Sequence, residues 1–84
     1  MTGEVPPEEA YALLADGTRV AIVRALGESD GPRSFTALRE RVGIRDSGRF
    51  NYHLQRLVGT FVERTECGYV LTEDGERVAD SLAG

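Results

Sequence analysis

The chain has no lysine and no tryptophan, one cysteine, one histidine and no long apolar run. Each absence narrows the choices. A single cysteine, Cys67, cannot build an intramolecular disulfide framework, and it favours a reducing cytoplasm. Cys67 with the one histidine, His53, cannot supply four ligands for a soft metal, so no such metal site is expected, and carboxylate sites on the terminal helices are the alternative left open. No apolar stretch approaches the roughly 20 residues that span a bilayer, and the polar, acidic opening MTGEVPPEE is no secretory leader. No membrane association is therefore expected. No nucleophile motif surrounds the serines, and no glycine-rich phosphate loop follows a strand, so neither an enzyme nor a cofactor is expected. A chain of 84 residues makes one domain with a modest core, which a dimer would support.

With lysine absent, arginine carries all the positive charge, and the net charge is −4. Taken alone, that balance argues against nucleic acid. The distribution along the chain argues the other way. Residues 1–32 hold two arginines against six acids, residues 33–56 hold six arginines against Glu40 and Asp46, and residues 57–84 again hold two against six. The local balances are −4, +4 and −4, so positive charge is concentrated in one central segment. The acidic, lysine-free flanks fit a salt-rich cytoplasm; a GC-rich genome that favours arginine codons explains them equally well.

Residues 1–6 are read as a disordered N-terminus and 7–84 as a single domain. Pro6-Pro7 before Glu8-Glu9 marks a helix start, since proline fits a first turn and acids suit the dipole. Ala10, Leu13 and Leu14 share one face of this short helix. Asp16 is the expected N-cap of a second helix, Gly17 to about Leu26, with Val20, Ile22, Val23 and Leu26 inward and Arg19 and Arg24 off that stripe. The connector GESDGPR follows. Thr36 is expected to cap a third helix, Ala37 to Val42, ended by Gly43 in a left-handed conformation. Ile44 packs in the turn, Asp46 or Ser47 caps the next helix, and that helix runs over about 47–58. Its inner stripe is Phe50, Leu54 and Leu57, and its outer stripe is Arg49, Tyr52, His53 and Arg56. Two short strands then form a hairpin at 61–71 around Cys67-Gly68, with Gly68 at the second turn position. Thr72 caps a last helix with Val78, Ala79 and Leu82 apolar, slightly weakened by Gly75. The expected fold class is mainly α with a small β-hairpin (α+β), a winged helix-turn-helix.

Two helices around a tight turn, the second bearing arginines, suit a DNA groove. Arginine forks onto guanine O6 and N7, and asparagine pairs with adenine. Arg49, Asn51, Tyr52, His53 and Arg56 are the candidate DNA contacts, with Arg45 and Ser47 near the helix start. Ser34 and Thr36 can hold a phosphate at the start of the preceding helix, and Arg64 lies on the wing. Plain alternatives stand beside each reading: a solvated arginine face, Tyr52 at the edge of the core, His53 packed at a helix boundary, and Ser34 and Thr36 as simple caps.

ALLADGTRVAIVRAL, FTALRERVGI, NYHLQRL and GYVLTEDGERV together resemble the archaeal branch of the ArsR-like winged helix-turn-helix regulators, over about residues 12–82. The resemblance implies a sequence-specific, dimeric transcription regulator that binds double-stranded DNA, with recognition helices in adjacent major grooves. By position it puts Arg49, Asn51, Tyr52, His53 and Arg56 on the DNA-facing helix. Three features depart from the family pattern. The stretch from Gly43 to His53 is one residue longer, the wing tip has no arginine beyond Arg64, and the paired cysteines of the family's thiolate metal sensors are missing. A homodimer through the terminal helices, residues 7–15 and 73–83, would match a palindromic operator. Two rival readings are a winged-helix protein-interaction module of transcription or repair machinery, working through its acidic ends, and the DNA-binding half of a longer ligand-sensing regulator.

Overall fold

The computed structural model describes Pro6–Ala83. The expectation of disorder over residues 1–5, and the last residue of the expected domain, fall outside the described residues. Pro6 is ordered as the N-cap of the first helix, and its carbonyl accepts from Ala10 N–H at 3.0 Å. It therefore belongs to the domain rather than to a disordered terminus. The element order is α1 (Pro7–Leu13), α2 (Gly17–Gly27), α3 (Phe35–Val42), α4 (Ser47–Leu57), β1 (Val62–Thr65), β2 (Gly68–Leu71) and α5 (Glu73–Ala83). Among the described residues, five helices with one antiparallel hairpin make a small α+β, winged-helix-like fold, as the sequence pattern implies.

The helix ends follow local chemistry. Asp16 accepts from Thr18 N–H at 2.8 Å and starts α2 as expected. α3 begins earlier than expected, because Ser34 rather than Thr36 is its cap, accepting from Ala37 N–H at 3.1 Å. That start brings Phe35 into the helix, where its ring meets Phe50 edge-on with centroids 5.3 Å apart. Gly43 ends α3 at φ 88°, a conformation that costs glycine nothing. Asp46 caps α4 through Arg49 N–H at 3.0 Å. Thr72 caps α5 through Gly75 N–H at 3.0 Å and anchors its own hydroxyl on the Thr60 carbonyl at 2.7 Å.

α2 is the central element and packs on α3, α4, α5 and β2. Ile22 and Val23 from α2, Leu38 from α3, and Phe50, Leu54 and Leu57 from α4 are wholly excluded from solvent. Ala25 and Leu26 extend the α2 face, while Val20 lies only half-buried. Arg19, expected off the apolar stripe, is buried at 9% exposure; the reason is a set of polar partners described below.

The hairpin pairs Val62 with Leu71 and Thr65 with Gly68. Glu66 and Cys67 are thus the turn, and Gly68 is the first residue of β2 rather than the second turn residue. Thr65 explains the shift: its hydroxyl donates to the Gly68 carbonyl at 2.8 Å and accepts from Cys67 N–H at 3.2 Å. Gly68 is needed for another reason. Its φ is 129°, and a Cβ there would lie 2.5 Å from the Arg33 carbonyl oxygen. Arg33 adds a one-residue third edge to the sheet, donating N–H to Tyr69 at 3.1 Å and accepting from Tyr69 N–H at 2.8 Å. The segment before α3 is thereby tied to the wing that follows α4.

Candidate nucleic-acid interface

α3, the four-residue turn Gly43–Asp46 and α4 form the expected helix pair. Arg39 holds the turn. Its Nη1 donates to the carbonyls of Ile44 and Arg45, each at 3.1 Å, so one guanidinium fixes the path between the helices. Its Nε is buried and unpartnered among the described residues. Arg39 was not among the sequence candidates. It stands within an arginine-rich stretch, where nothing marks one arginine as structural.

The solvent side of α4 carries Arg49, Asn51, Tyr52, Gln55 and Arg56, all exposed. Tyr52 is 58% exposed, among the described residues one of two large hydrophobic side chains left so open. Asn51 Oδ1 accepts from Gln55 Nε2 at 3.2 Å, which leaves the Asn51 amide donors turned to solvent. Ser47 opens the helix and is exposed, as are Arg45, Ser34 and Thr36. The Ser34 hydroxyl oxygen is occupied by the Ala37 N–H, so its role as a plain cap is realised in the fold.

His53 does not belong to this outer row. It is 7% exposed and sits beside Phe50, Leu54 and Leu57 on the buried side. The helical period explains the error. At about 100° per residue, position 53 lies at the border of the two stripes, so spacing alone cannot place it. Arg19 decides the matter, with Nη1 at 3.0 Å from His53 Nδ1. A guanidinium only donates, so Nδ1 is the acceptor and the ring proton sits on Nε2. Nε2 faces Asp16 Oδ1 at 3.9 Å. The Asp16 carboxyl is held below its ordinary value, chiefly by the Thr18 N–H, which outweighs the opposing effect of burial, with the Arg19 backbone N–H and guanidinium adding to the lowering.

The charge of the central segment is partly spent on structure. Of its six arginines, Arg33 donates to Ser29 Oγ at 3.0 Å, Arg39 braces the turn, and Arg41 pairs with Glu28 at 2.9 Å. Among the described residues, no hydrogen bond or ion pair engages the guanidinium groups of Arg45, Arg49 and Arg56. All three are exposed at the turn and along one side of α4. Arg64 is exposed on β1 between Glu63 and the turn residue Glu66, so the wing offers one cation among acids.

An open groove of about 680 Å³ runs between the end of α2, the following loop, β2 and α5. Leu26, Leu71 and Leu82 contribute apolar surface, while Glu28, Asp30, Glu76 and Asp80 contribute acids. Among the described residues no helix is long and apolar enough to cross a membrane.

The geometry therefore defines a class: a winged-helix-like domain whose fourth helix presents two arginines unengaged among the described residues, a tyrosine and an asparagine, with a third such arginine, Arg45, in the turn before it. The chain belongs to the family described as a domain of unknown function (DUF7347), whose model matches residues 7–82. No curated protein and no solved structure matches the chain.

Proposed function

We propose that the chain binds double-stranded DNA through α4 as a homodimer and regulates transcription in the cytoplasm, as the ArsR-like resemblance implies. The observation that carries this reading is the row of Arg49, Tyr52 and Arg56 on the solvent side of α4, in the only net-positive third of the chain. The helix behind that row is anchored by three fully buried side chains, Phe50, Leu54 and Leu57. A rigidly held helix can carry such a row to a fixed depth in a major groove. Forked arginines there read guanine, Asn51 suits adenine, and Tyr52 packs against sugar or thymine methyl. Ser47, Thr36 and the Ser34 region lie at helix starts suited to phosphate, and Arg45 extends the cationic strip. His53 supports the helix from behind rather than touching DNA. Arg64 gives the wing a minor part.

The homodimer of this reading pairs α1 with α5 across a two-fold axis, and Tyr11 on α1, 77% exposed, gives that face an aromatic anchor. Selection of bound sequences from random duplex DNA tests the reading. Enrichment of a two-fold symmetric site supports it, and failure to enrich any sequence overturns it. One observation favours a second reading, a docking module for another protein: the acid-lined groove beside α5. Charge reversal of Asp30, which lines the groove from the loop and lies outside the α1–α5 dimer face, separates the two, since it would weaken docking but leave DNA selection intact.

A further inference from the structure

Among the described residues Arg19, on α2, is the one buried arginine, and its side-chain partners lie on two other helices, α1 and α4. Its Nε donates to the Leu13 carbonyl at 2.7 Å and its Nη2 to the Ala12 carbonyl at 3.3 Å, closing the C-terminal end of α1. Its Nη1 donates to His53 Nδ1 on α4 at 3.0 Å. A helix C-terminus is the negative end of the helix dipole, so a cation is held there both by charge and by geometry. The chain of contacts continues outward. The His53 ring meets the Tyr52 ring edge-on, with centroids 5.1 Å apart and planes at 71°. A buried guanidinium thus leads, through one imidazole, to the most prominent aromatic on the solvent side of α4.

We propose that Arg19 is a positioning residue for Tyr52, acting through His53, so that the seating of α1 sets the aim of the recognition helix. The proposal rests on the DNA-binding reading above. Arg19 fixes the His53 tautomer and ring plane by occupying Nδ1, and Asp16 Oδ1 faces the Nε2 side at 3.9 Å. A fixed imidazole gives Tyr52 one preferred edge-to-face seat instead of a set of rotamers. Tyr52 is then pre-organised in the free protein, and less side-chain entropy is lost when it is immobilised against DNA. Because the same guanidinium closes α1, a dimer contact that shifts α1 is passed to Tyr52 through the Arg19 hydrogen bonds and the His53–Tyr52 ring contact.

The test compares Arg19→Lys with His53→Phe, each alone and combined with Tyr52→Ala. Lysine keeps the buried charge near the α1 carbonyls without the fork, and phenylalanine keeps the ring but loses the acceptor, so either can hold the fold if the other fails. Two quantities are read: affinity for a selected duplex, and the Tyr52 ring resonances of the free protein. Each single variant is expected to weaken DNA binding roughly fivefold to tenfold and to shift the Tyr52 ring signals while those of Tyr11 stay in place. In the Tyr52→Ala background, Arg19→Lys is expected to cost nothing further. An equal loss with and without Tyr52 would overturn the proposal, since that is what a merely structural role produces. So would unshifted Tyr52 resonances, a result that stands even if the wild type binds no DNA, in which case only the DNA-binding reading fails with it.

Discussion

Replacing Gly75 by alanine sets two physical effects against each other, and the structure decides the sign. Gly75 lies in the first turn of α5, where propensity alone favours alanine by at most about 1 kcal/mol. Its surroundings oppose the change. A Cβ there would fall on the Phe61 carbonyl oxygen, 3.0 Å from the carbonyl carbon and 3.1 Å from Leu71 Cδ2. The oxygen belongs to backbone that cannot rotate away, because it accepts from Thr72 N–H at 3.0 Å. Relieving the clash means lifting α5, which also strains the Thr72 cap on Gly75 N–H. Overpacking costs about 1–3 kcal/mol, and weakening two hydrogen bonds adds roughly 1 kcal/mol each at most. The net expectation is a loss of about 2–3 kcal/mol. At about 4–8 °C per kcal/mol for a domain of this size, Tm should fall by roughly 10–20 °C. Gly48→Ala is the control. It sits in the first turn of α4 with Asp46 Oδ1 at 3.4 Å as its nearest neighbour, an ordinary contact. It should be neutral or stabilising by up to about 1 kcal/mol. Thermal unfolding followed by circular dichroism measures both. A Gly75→Ala variant as stable as the wild type would refute the packing of α5 on the hairpin described above.

Three further outcomes are expected. Leu54→Ala, at a fully buried position, should cost about 2–5 kcal/mol, read by urea unfolding; a smaller loss would mean that α4 is not seated on the core. Because the Asp16 carboxyl is held below its ordinary value, its contribution to stability is complete above the unfolded carboxylate value near 3.9 and is lost as pH falls through the lower folded value. Asp16→Asn should therefore flatten the acid limb of the stability curve and leave the slope between pH 5 and about 7 unchanged; an altered slope in that neutral range would contradict the assignment. Salt should act in opposite directions on the two proposed associations. DNA affinity falls as counterion release loses its drive, whereas dimerisation through α1 and α5, which carry Glu8, Glu9, Glu73, Asp74 and Glu76, strengthens as like charges are screened. Anisotropy titrations and sedimentation at several salt concentrations report each.

What was legible in the sequence follows from how local each signal is. Caps are local: Asp16, Asp46 and Thr72 all start helices through their own side chains. Gly43 ends α3 by its own backbone freedom. The inner stripe of Phe50, Leu54 and Leu57 is equally local, since one helical period specifies it. The errors arise where a distant partner decides. His53 lies at the border between two stripes, and a buried arginine 34 positions away settles it. Arg19 looks like a surface residue until the end of α1 folds back to meet it. Gly75 reads as a weak helix residue until Phe61 is packed against it, and Gly68 reads as a turn residue until Arg33 pairs beside it. In the candidate interface, counting arginines could not separate those that hold the fold (Arg33, Arg39 and Arg41) from those exposed and unengaged (Arg45, Arg49 and Arg56). That division depends on Ser29, Glu28 and the turn carbonyls, all brought in by folding.

The central claim is that α4 reads DNA through its solvent-side arginines. Its most direct test is the affinity of the Arg49→Ala/Arg56→Ala double variant for a selected duplex, beside the wild type at the same salt. If the two arginines read bases, each replacement costs about 1–3 kcal/mol and discrimination between specific and random duplex collapses. Thermal unfolding of the variant should match the wild type, because both side chains are exposed. An unchanged affinity and specificity in a folded double variant would contradict the claim.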